Sequence, residues 1–506
     1  MTINEIGFDN EKYLKEQTKS ILDRAEQFGN KLYLEFGGKL IYDYHAARIL
    51  PGFDPNVKME LLKRLKDKIE VIICIYSGDI ERRKIRADFG ITYDTDTMKL
   101  IDDLREGGIE VCSVVVTRFE GQPVVKQFMN KLERRGINIY PHQTIKGYPT
   151  NIDLIVSEEG YGANAYIETC KPIVIVTAPG PGSGKLATCL NQIYHEHSMG
   201  LEAGYAKFET FPIWNLPLKH PVNMAYESAT ADLGDFNQVD PFHLENYNKV
   251  AINYNRDVEI FPVVKKIMDR IMDEDVVYHS PTDMGVNKAG FAIIDDDLVR
   301  YAAKQEMIRR FFRYNCEYVM GVANKKTVER AELLMKELNL KEVDRKVVEF
   351  ARQASLEAQE EGKGNEGVFA GAALELKTEK IITGKNSPLM HAASALILNA
   401  IKVLAGIPDN IDLLSPNILQ SISRLKSEFY NRKVLSLNLE ETLIALSISA
   451  DFNPSAKVAM EKLKELQGCE MHSTHIPTPG DEAGLRRLGL NITSDPNFSS
   501  NSLFIT

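Results

Sequence analysis

The run PIVIVTAPGPGSGKLATCLNQIYHEH, residues 172–197, decides the fold class. Ile173 to Val176 are four apolar residues in succession, the pattern of a strand buried on both faces. Thr177 to Lys185 then carries Gly180, Gly182 and Gly184 between prolines. After it Leu186, Cys189, Leu190 and Ile193 share one face of a helix. A buried strand, a glycine-rich turn and a helix in that order are one unit of a parallel α/β sheet.

The alternation continues outward from this unit. Leu14, Thr18, Ile21, Ala25 and Phe28 repeat at helical spacing, as do Met59, Leu62, Leu65 and Ile69. Between and after them KLYLEFGG (31–38), VIICIYSGD (71–79), VCSVVV (111–116), INIY (137–140) and DLIVS (153–157) read as strands, with helices near 95–106 and 122–135. Apolar runs separated by helices predict a mainly parallel, doubly wound α/β sheet. Residues 205–262 are rich in aromatics and prolines and weakly periodic, so an irregular insertion facing the ligand is expected there. FAIIDDD (291–297) reads as a further strand ending in acids.

From about residue 300 helical patterns dominate. Val328, Ala331, Leu334 and Leu338 mark one helix and 343–361 another, followed by the glycine-rich EGKGNEG (361–367) and an extended run near 368–382. Ser387-Pro388 and Ser415-Pro416 resemble helix starts, a capping side chain followed by proline in the first turn. Residues 389–405 are apolar all round and should be buried. The expected organisation is an α/β domain over 1–309 that contains the glycine loop and the 205–262 insertion, and a second, helix-rich α/β domain over 310–506.

At 506 residues, 44% hydrophobic and 26% charged, the chain has the balance of a globular protein of more than one domain, which excludes disordered and fibrous classes. A net charge of -10 opposes phosphate backbones and anionic lipid, so neither nucleic acid nor membrane is expected as a partner. The opening MTINEIGFDN lacks a basic region and an apolar stretch, and the six cysteines form no CxxC pair. Reduced thiols in a cytoplasmic protein are the simplest expectation. A homo-oligomer is expected from the frequency of that state among proteins of this size.

The glycine loop suits an anion. Glycines let N–H groups curl around phosphate oxygens, the following helix adds partial positive charge, and Lys185 a full one. The match to GxxxxGK[ST] is incomplete: Pro179 holds the first glycine position, and Leu186 stands where a magnesium-binding hydroxyl belongs. The ligand-binding candidates are therefore Gly180, Gly182, Ser183, Gly184, Lys185 and Thr188, with ATP and Mg²⁺ as the expected cofactors. Lys185 would stabilise phosphoryl charge, and Asp232 or Asp295 would hold the metal, Asp295 because it closes the apolar run FAII. Asp79, after VIICIYSG, is a further acid at a strand end, and Asp235, with Asp232 in ESATADLGDFN, could approach the site from the irregular region. Three readings follow: an ATP-dependent ligase or kinase acting on a small molecule, a non-catalytic nucleotide- or metabolite-sensing assembly protein, or a protein whose loop binds no phosphate and which acts on a sugar or amino acid in a cleft between its domains.

The histidines point elsewhere. His195-Glu196-His197 lacks the HExxH spacing of a zinc helix, and His472 and His475, three apart on an extended segment, face opposite ways. No GxSxG elbow is present. His391 is expected to bond a loop carbonyl.

With VTAPGPGSGK (176–185), HPVNMAYESATADLGDFNQVDPFHLE (220–245) and HSTHIPTPGDEAGLRRLG (472–489) in view, the chain resembles over its whole length a family of conserved bacterial proteins of about this size. Some members carry the label ATP-dependent peptidase, for which this sequence has neither a zinc motif nor a nucleophile signature. The resemblance implies a cytoplasmic bacterial protein with an N-terminal domain bearing the P-loop-like turn and a distinct C-terminal domain. It implies no reaction and no catalytic residues.

Overall fold

Ile173–Thr177 forms a wholly buried strand, as its uninterrupted apolar run requires. In the computed structural model, which describes residues 6–29, 31–86, 90–272, 278–429 and 436–500, it lies inside a six-stranded sheet. The strands are β1 (Leu32–Phe36), β2 (Ile69–Tyr76), β3 (Val111–Thr117), β4 (Asn138–Pro141), β5 (Ile173–Thr177) and β6 (Gly204–Phe208). Their order across the sheet is β4-β3-β2-β5-β1-β6, and every pairing is parallel. Parallel neighbours need a crossover between them, and the helices predicted from periodicity supply most of these crossovers, among them Val57–Leu65, Tyr93–Glu106, Pro123–Glu133 and Lys185–Ser198.

The order fixes where a crevice opens. From β2 the chain moves to β3 on one side, whereas from β5 it moves past β1 to β6 on the other. Right-handed crossovers then put the two connections on opposite faces, which opens a crevice at the carboxyl ends of β2, β5 and β1. The glycine-rich loop follows β5 and therefore stands in that crevice.

Several local readings are corrected. Ile152–Ile155 is a short helix capped by Asn151, not a strand. FAIIDDD is not a sheet strand either. Ala289–Ala292 is a 3₁₀ turn, Ile293 bridges Phe8, and a helix runs from Asp296. The Asp295 carboxylate accepts the Leu298 N–H, so the acids at 295–297 begin a helix, where negative charge meets unpaired N–H groups. Residues 205–262 are more regular than their composition suggests. They hold the end of β6, the helix Pro221–Ala229, a two-stranded ribbon (Asn237–Val239 with Ile252–Tyr254) and much of the helix Asn255–Met272, which accommodates Pro262. The helix expected at Ser387-Pro388 begins instead at Ala392.

Two compact units emerge among the described residues, one of 6–227 and 235–303, the other of 228–234 and 304–500. The second contains a four-stranded sheet of β7 (Gly371–Glu375), β8 (Ile381–Lys385), β9 (Glu470–Ser473) and β10 (Asn491–Ser494) in the order β8-β7-β9-β10. Only β9 and β10 pair in parallel. The apolar helix Ala392–Leu404 packs into its core through Leu396, Ile397 and Ile401, all fully buried.

After β10 the chain turns at Asp495, whose carboxylate takes two hydrogen bonds from Arg352, at 2.6 and 3.0 Å, and lies 3.5 Å from His472 Nε2. Burial pushes this carboxyl up, but the bonds from His472 and Arg352 outweigh it and bring the group to about 2. A group depressed in this way adds stability that is complete above the ordinary carboxyl value and is lost as pH falls through its folded value. Asp495→Asn should therefore cost about 2 kcal/mol at pH 6, with the gap to wild type closing between pH 4 and pH 2. Denaturant midpoints for the two proteins across that range check it, and a gap that does not change with pH would refute it.

Candidate functional site

The loop between β5 and the helix Lys185–Ser198 owes its shape to two glycines and two braces. Gly182 and Gly184 adopt φ of 71° and 88°, in the left-handed region that glycine enters without a Cβ clash. Thr117, the last residue of β3, donates its hydroxyl to the Ser183 carbonyl at 2.8 Å. The Arg118 guanidinium donates to the Gly182 carbonyl and lies 3.8 Å over the Tyr76 ring. A trans peptide points its N–H opposite to its C=O. With both carbonyls drawn towards the end of β3, the N–H groups of Ser183 and Gly184 are turned the other way. The N–H groups of Lys185, Leu186 and Ala187 open the helix and have no partner within it. Together they form a concave set of donors with the helix dipole behind it.

Two buried hydroxyls at this turn, Ser183 Oγ and Thr177 Oγ1, have no hydrogen-bond partner among the described residues. An unsatisfied buried hydroxyl costs about 1–3 kcal/mol, so each marks a place where a ligand oxygen or a water would complete the structure. Gly180 is needed for a different reason: a Cβ there would lie 2.5 Å from the Tyr93 ring, which packs on the loop.

Lys185 points towards the centre of the sheet. Its Nζ is 3.8 Å from Glu35 Oε1, and Tyr205 donates its hydroxyl to the other oxygen of Glu35 at 2.8 Å. Glu35 pairs in register with Val176 on β5 and Lys207 on β6, so the three share one row across the sheet. Lys207 continues the row to Asp257 and, at 3.2 Å, to Glu209. The Glu209 carboxyl is pushed up to about 7. Burial is the main cause, and the neighbouring Asp257 and Glu35 add to it against the pull of Lys207 and Lys185. Gly37 makes room for this side chain, since a Cβ on Gly37 would fall 2.1 Å from Glu209 Cγ.

Beside the loop lies a small cleft, open to solvent, walled by Ala178 and Pro179, by Lys39 and Tyr42 after β1, and by Asp96 and Lys99 on the helix Tyr93–Glu106. Lys99 Nζ lies 4.8 Å over the Tyr42 ring. The cleft occupies the crevice that the strand order creates.

The remaining candidates lie as follows. Thr188 is buried, and its hydroxyl meets the Cys74 thiol at 3.4 Å. Asp295 caps a helix, as described above. Asp232 belongs to the second unit, in a 3₁₀ turn where it meets the Tyr314 hydroxyl at 3.4 Å. Asp79 is not at a strand end but buried in the short helix Ser77–Glu81 after β2, where it pairs with Arg82, and Asp235 is paired with Arg256. The loop residues stand together on one turn, while Asp295 is engaged with its own helix and Asp232 with Tyr314. Among the described residues no group of three His, Cys, Asp or Glu side chains could hold a metal ion.

The histidines serve packing. His195 and His197 bond backbone carbonyls, and His472 bonds Thr493 inside the second unit. His391 bonds the Asp481 carboxylate at 2.6 Å, not a loop carbonyl as expected.

Glu35, Lys207, Glu209, Thr117 and Arg118 were not singled out from the sequence. Their signal was weak but present: Glu35 and Lys207 are lone charges inside buried strands, LYLEF and GYAKF. Buried ionisable groups next to a sheet's carboxyl edge are candidates for function.

Gly184→Ala should be costly, because its φ of 88° and a Cβ 2.9 Å from Thr117 Cγ2 both oppose a side chain. A loss of roughly 1–3 kcal/mol is expected. Gly136→Ala, with φ of 75° and open space around it, supplies the cost of φ alone. Thermal unfolding of both variants checks this, and equal losses would show that Thr117 does not constrain the loop.

Among the described residues no helix is long and apolar enough to cross a membrane. Comparison with known proteins matches residues 6–339 to the N-terminal model of the domain of unknown function DUF1846, and residues 343–504 to its C-terminal model. A UPF0371 protein of Clostridium botulinum (strain Eklund 17B / Type B) is 59% identical over 99% of both chains. A UPF0371 protein of Clostridium tetani (strain Massachusetts / E88) is 58% identical over the same share. The glycine loop, the charged row beside it and the mixed four-stranded sheet thus fall within these two matched regions, and the chain belongs to the DUF1846 family, whose close relatives are the bacterial UPF0371 proteins.

Proposed function

We propose that the chain binds a phosphate-containing small molecule at the β5 loop and acts on it there. Phosphate oxygens take the N–H groups of Ser183, Gly184 and the first helical turn, Ser183 Oγ completes the cradle, and the Lys185 ammonium balances the charge. The rest of the ligand extends from the loop along the carboxyl edge of the sheet. The observation that carries this reading is the Ser183 hydroxyl, buried without a partner in a turn whose carbonyls are tied back by Thr117 and Arg118.

Of the expected cofactors, ATP fits as one phosphate-bearing candidate, while Mg²⁺ does not fit the residues first suggested for it. Asp295 is engaged with its own helix, and Asp232 meets the Tyr314 hydroxyl. The row of carboxylates and ammonium groups beside the loop favours an enzyme over a protein that only senses its ligand, because buried charges of both signs are suited to moving protons.

A thermal-shift screen against nucleotides, sugar phosphates, pyrophosphate and inorganic phosphate, each with and without Mg²⁺, tests the reading. A ligand at a hundred times its Kd should add about 2.7 kcal/mol of stability. A flat response to every phosphate compound would reduce the loop to a structural turn.

A further inference from the structure

Beyond the loop, the charged row ends on Glu209, which the binding reading leaves without a task. The groups facing it come from every element around it: Lys207 on β6, Glu35 on β1, Lys185 at the start of the helix after the loop, and Asp257 on the helix Asn255–Met272. Tyr226, on the helix Pro221–Ala229, also lies within range of its charge. Gly37 provides the hollow in which its side chain rests.

We propose that Glu209 is the acid–base group of this site, protonated when a phosphate-type dianion occupies the glycine loop and able to pass that proton to an oxygen or nitrogen of the bound ligand. This inference rests on the phosphate reading of the loop. The reasoning is electrostatic. An anion on the loop engages Lys185, whose positive charge otherwise favours ionised Glu209, and adds negative charge beside Glu35 and Glu209. Both effects favour proton uptake at the group already poised to accept it. In the transfer only the proton moves: the ligand atom binds it through its own lone pair, and Glu209 is left as a carboxylate beside Lys207.

The geometry also restricts the ligand. The loop follows β5, and Glu209 follows β6, two strand positions away, about 10 Å across the sheet. The ligand class is therefore a phosphate ester whose body spans that distance and carries a hydroxyl or amine at its far end.

The test uses sulfate, a dianion that does not titrate near neutral pH, and the full-length protein. Calorimetric titrations at pH 6, 7 and 8 in buffers of different ionisation heat give both affinity and protons taken up. Wild type should take up a fraction of a proton, most near pH 7, and bind sulfate roughly tenfold more weakly at pH 8 than at pH 6. Glu209→Gln should abolish the uptake and flatten the pH dependence while still binding sulfate. Gly37→Ala, which evicts the Glu209 side chain from its hollow, should do the same and serves if Glu209→Gln does not fold. Infrared difference spectra of wild type and Glu209→Gln read the carboxyl directly. Sulfate binding with the same proton uptake in both variants overturns the role of Glu209 and leaves the phosphate reading standing. No sulfate binding in wild type at any pH overturns both.

Discussion

Lys185→Ala should fold as wild type does and lose most of its affinity for phosphate compounds. Lys185 opens the helix that follows the glycine loop, a position where alanine is well tolerated. What disappears is the ammonium group set between the donor cradle and Glu35. A hydrogen bond to a charged group is worth about 1.5–3 kcal/mol, so affinity should fall roughly ten- to hundredfold. The deficit is deepened because Glu35, still held by Tyr205, then faces the incoming anion without its counter-charge. Lys185→Arg keeps the charge and should recover part of the binding. Equilibrium titration of whichever phosphate compound stabilises wild type settles the matter. An unchanged Kd in Lys185→Ala would remove Lys185, and with it the loop, from the site.

The largest loss of stability is expected at Arg345, far from the loop in sequence. This side chain is 1% exposed, yet fully committed. Its Nε donates to Thr493 Oγ1 at 3.0 Å, and one terminal nitrogen donates to the carbonyls of Met471 and Asn491 at 3.1 and 2.8 Å. The other terminal nitrogen donates to the Glu470 carboxylate, which is held below its usual range against the upward push of burial. One guanidinium thus ties the start of the helix Val347–Glu360 to both β9 and β10, the parallel pair of the second sheet. Arg345→Ala would strip donors from several buried oxygens and leave Glu470 without its partner, a defect that costs about 3–5 kcal/mol. Arg345→Lys should recover only part of that, since an ammonium cannot reach the same fan of acceptors. Denaturant unfolding followed by circular dichroism measures both. A midpoint for Arg345→Ala equal to that of wild type would contradict the assignment.

Much of the fold was legible because strand and helix signals here are local. Val71 to Ile75, Val114 to Val116 and Ile173 to Val176 are apolar without interruption, and such runs have few alternatives to a strand buried on both faces. The misreadings have equally local causes. FAII is apolar enough for a strand, but the acids after it pair with open N–H groups and start a helix. DLIVS is short, and strand and helix cannot be told apart by periodicity over four or five residues. Residues 205–262 lacked rhythm because their helices are brief or contain proline.

For the site, the sequence by itself determined the glycine turn: which residues carry it, that a helix follows it, and that Lys185 stands at the junction. Those properties depend on neighbours along the chain, and backbone chemistry dictates them. Tertiary structure alone decided the rest. Thr117 and Arg118 turn the loop's N–H groups outward from a strand some 65 residues away in the chain. Glu35, Lys207 and Glu209 join Lys185 only because β1 and β6 come to lie beside β5. Strand order is set by the packing of crossover helices on the two faces, a non-local result, and it places β1 between β5 and β6 so that charges from three separate segments share one row.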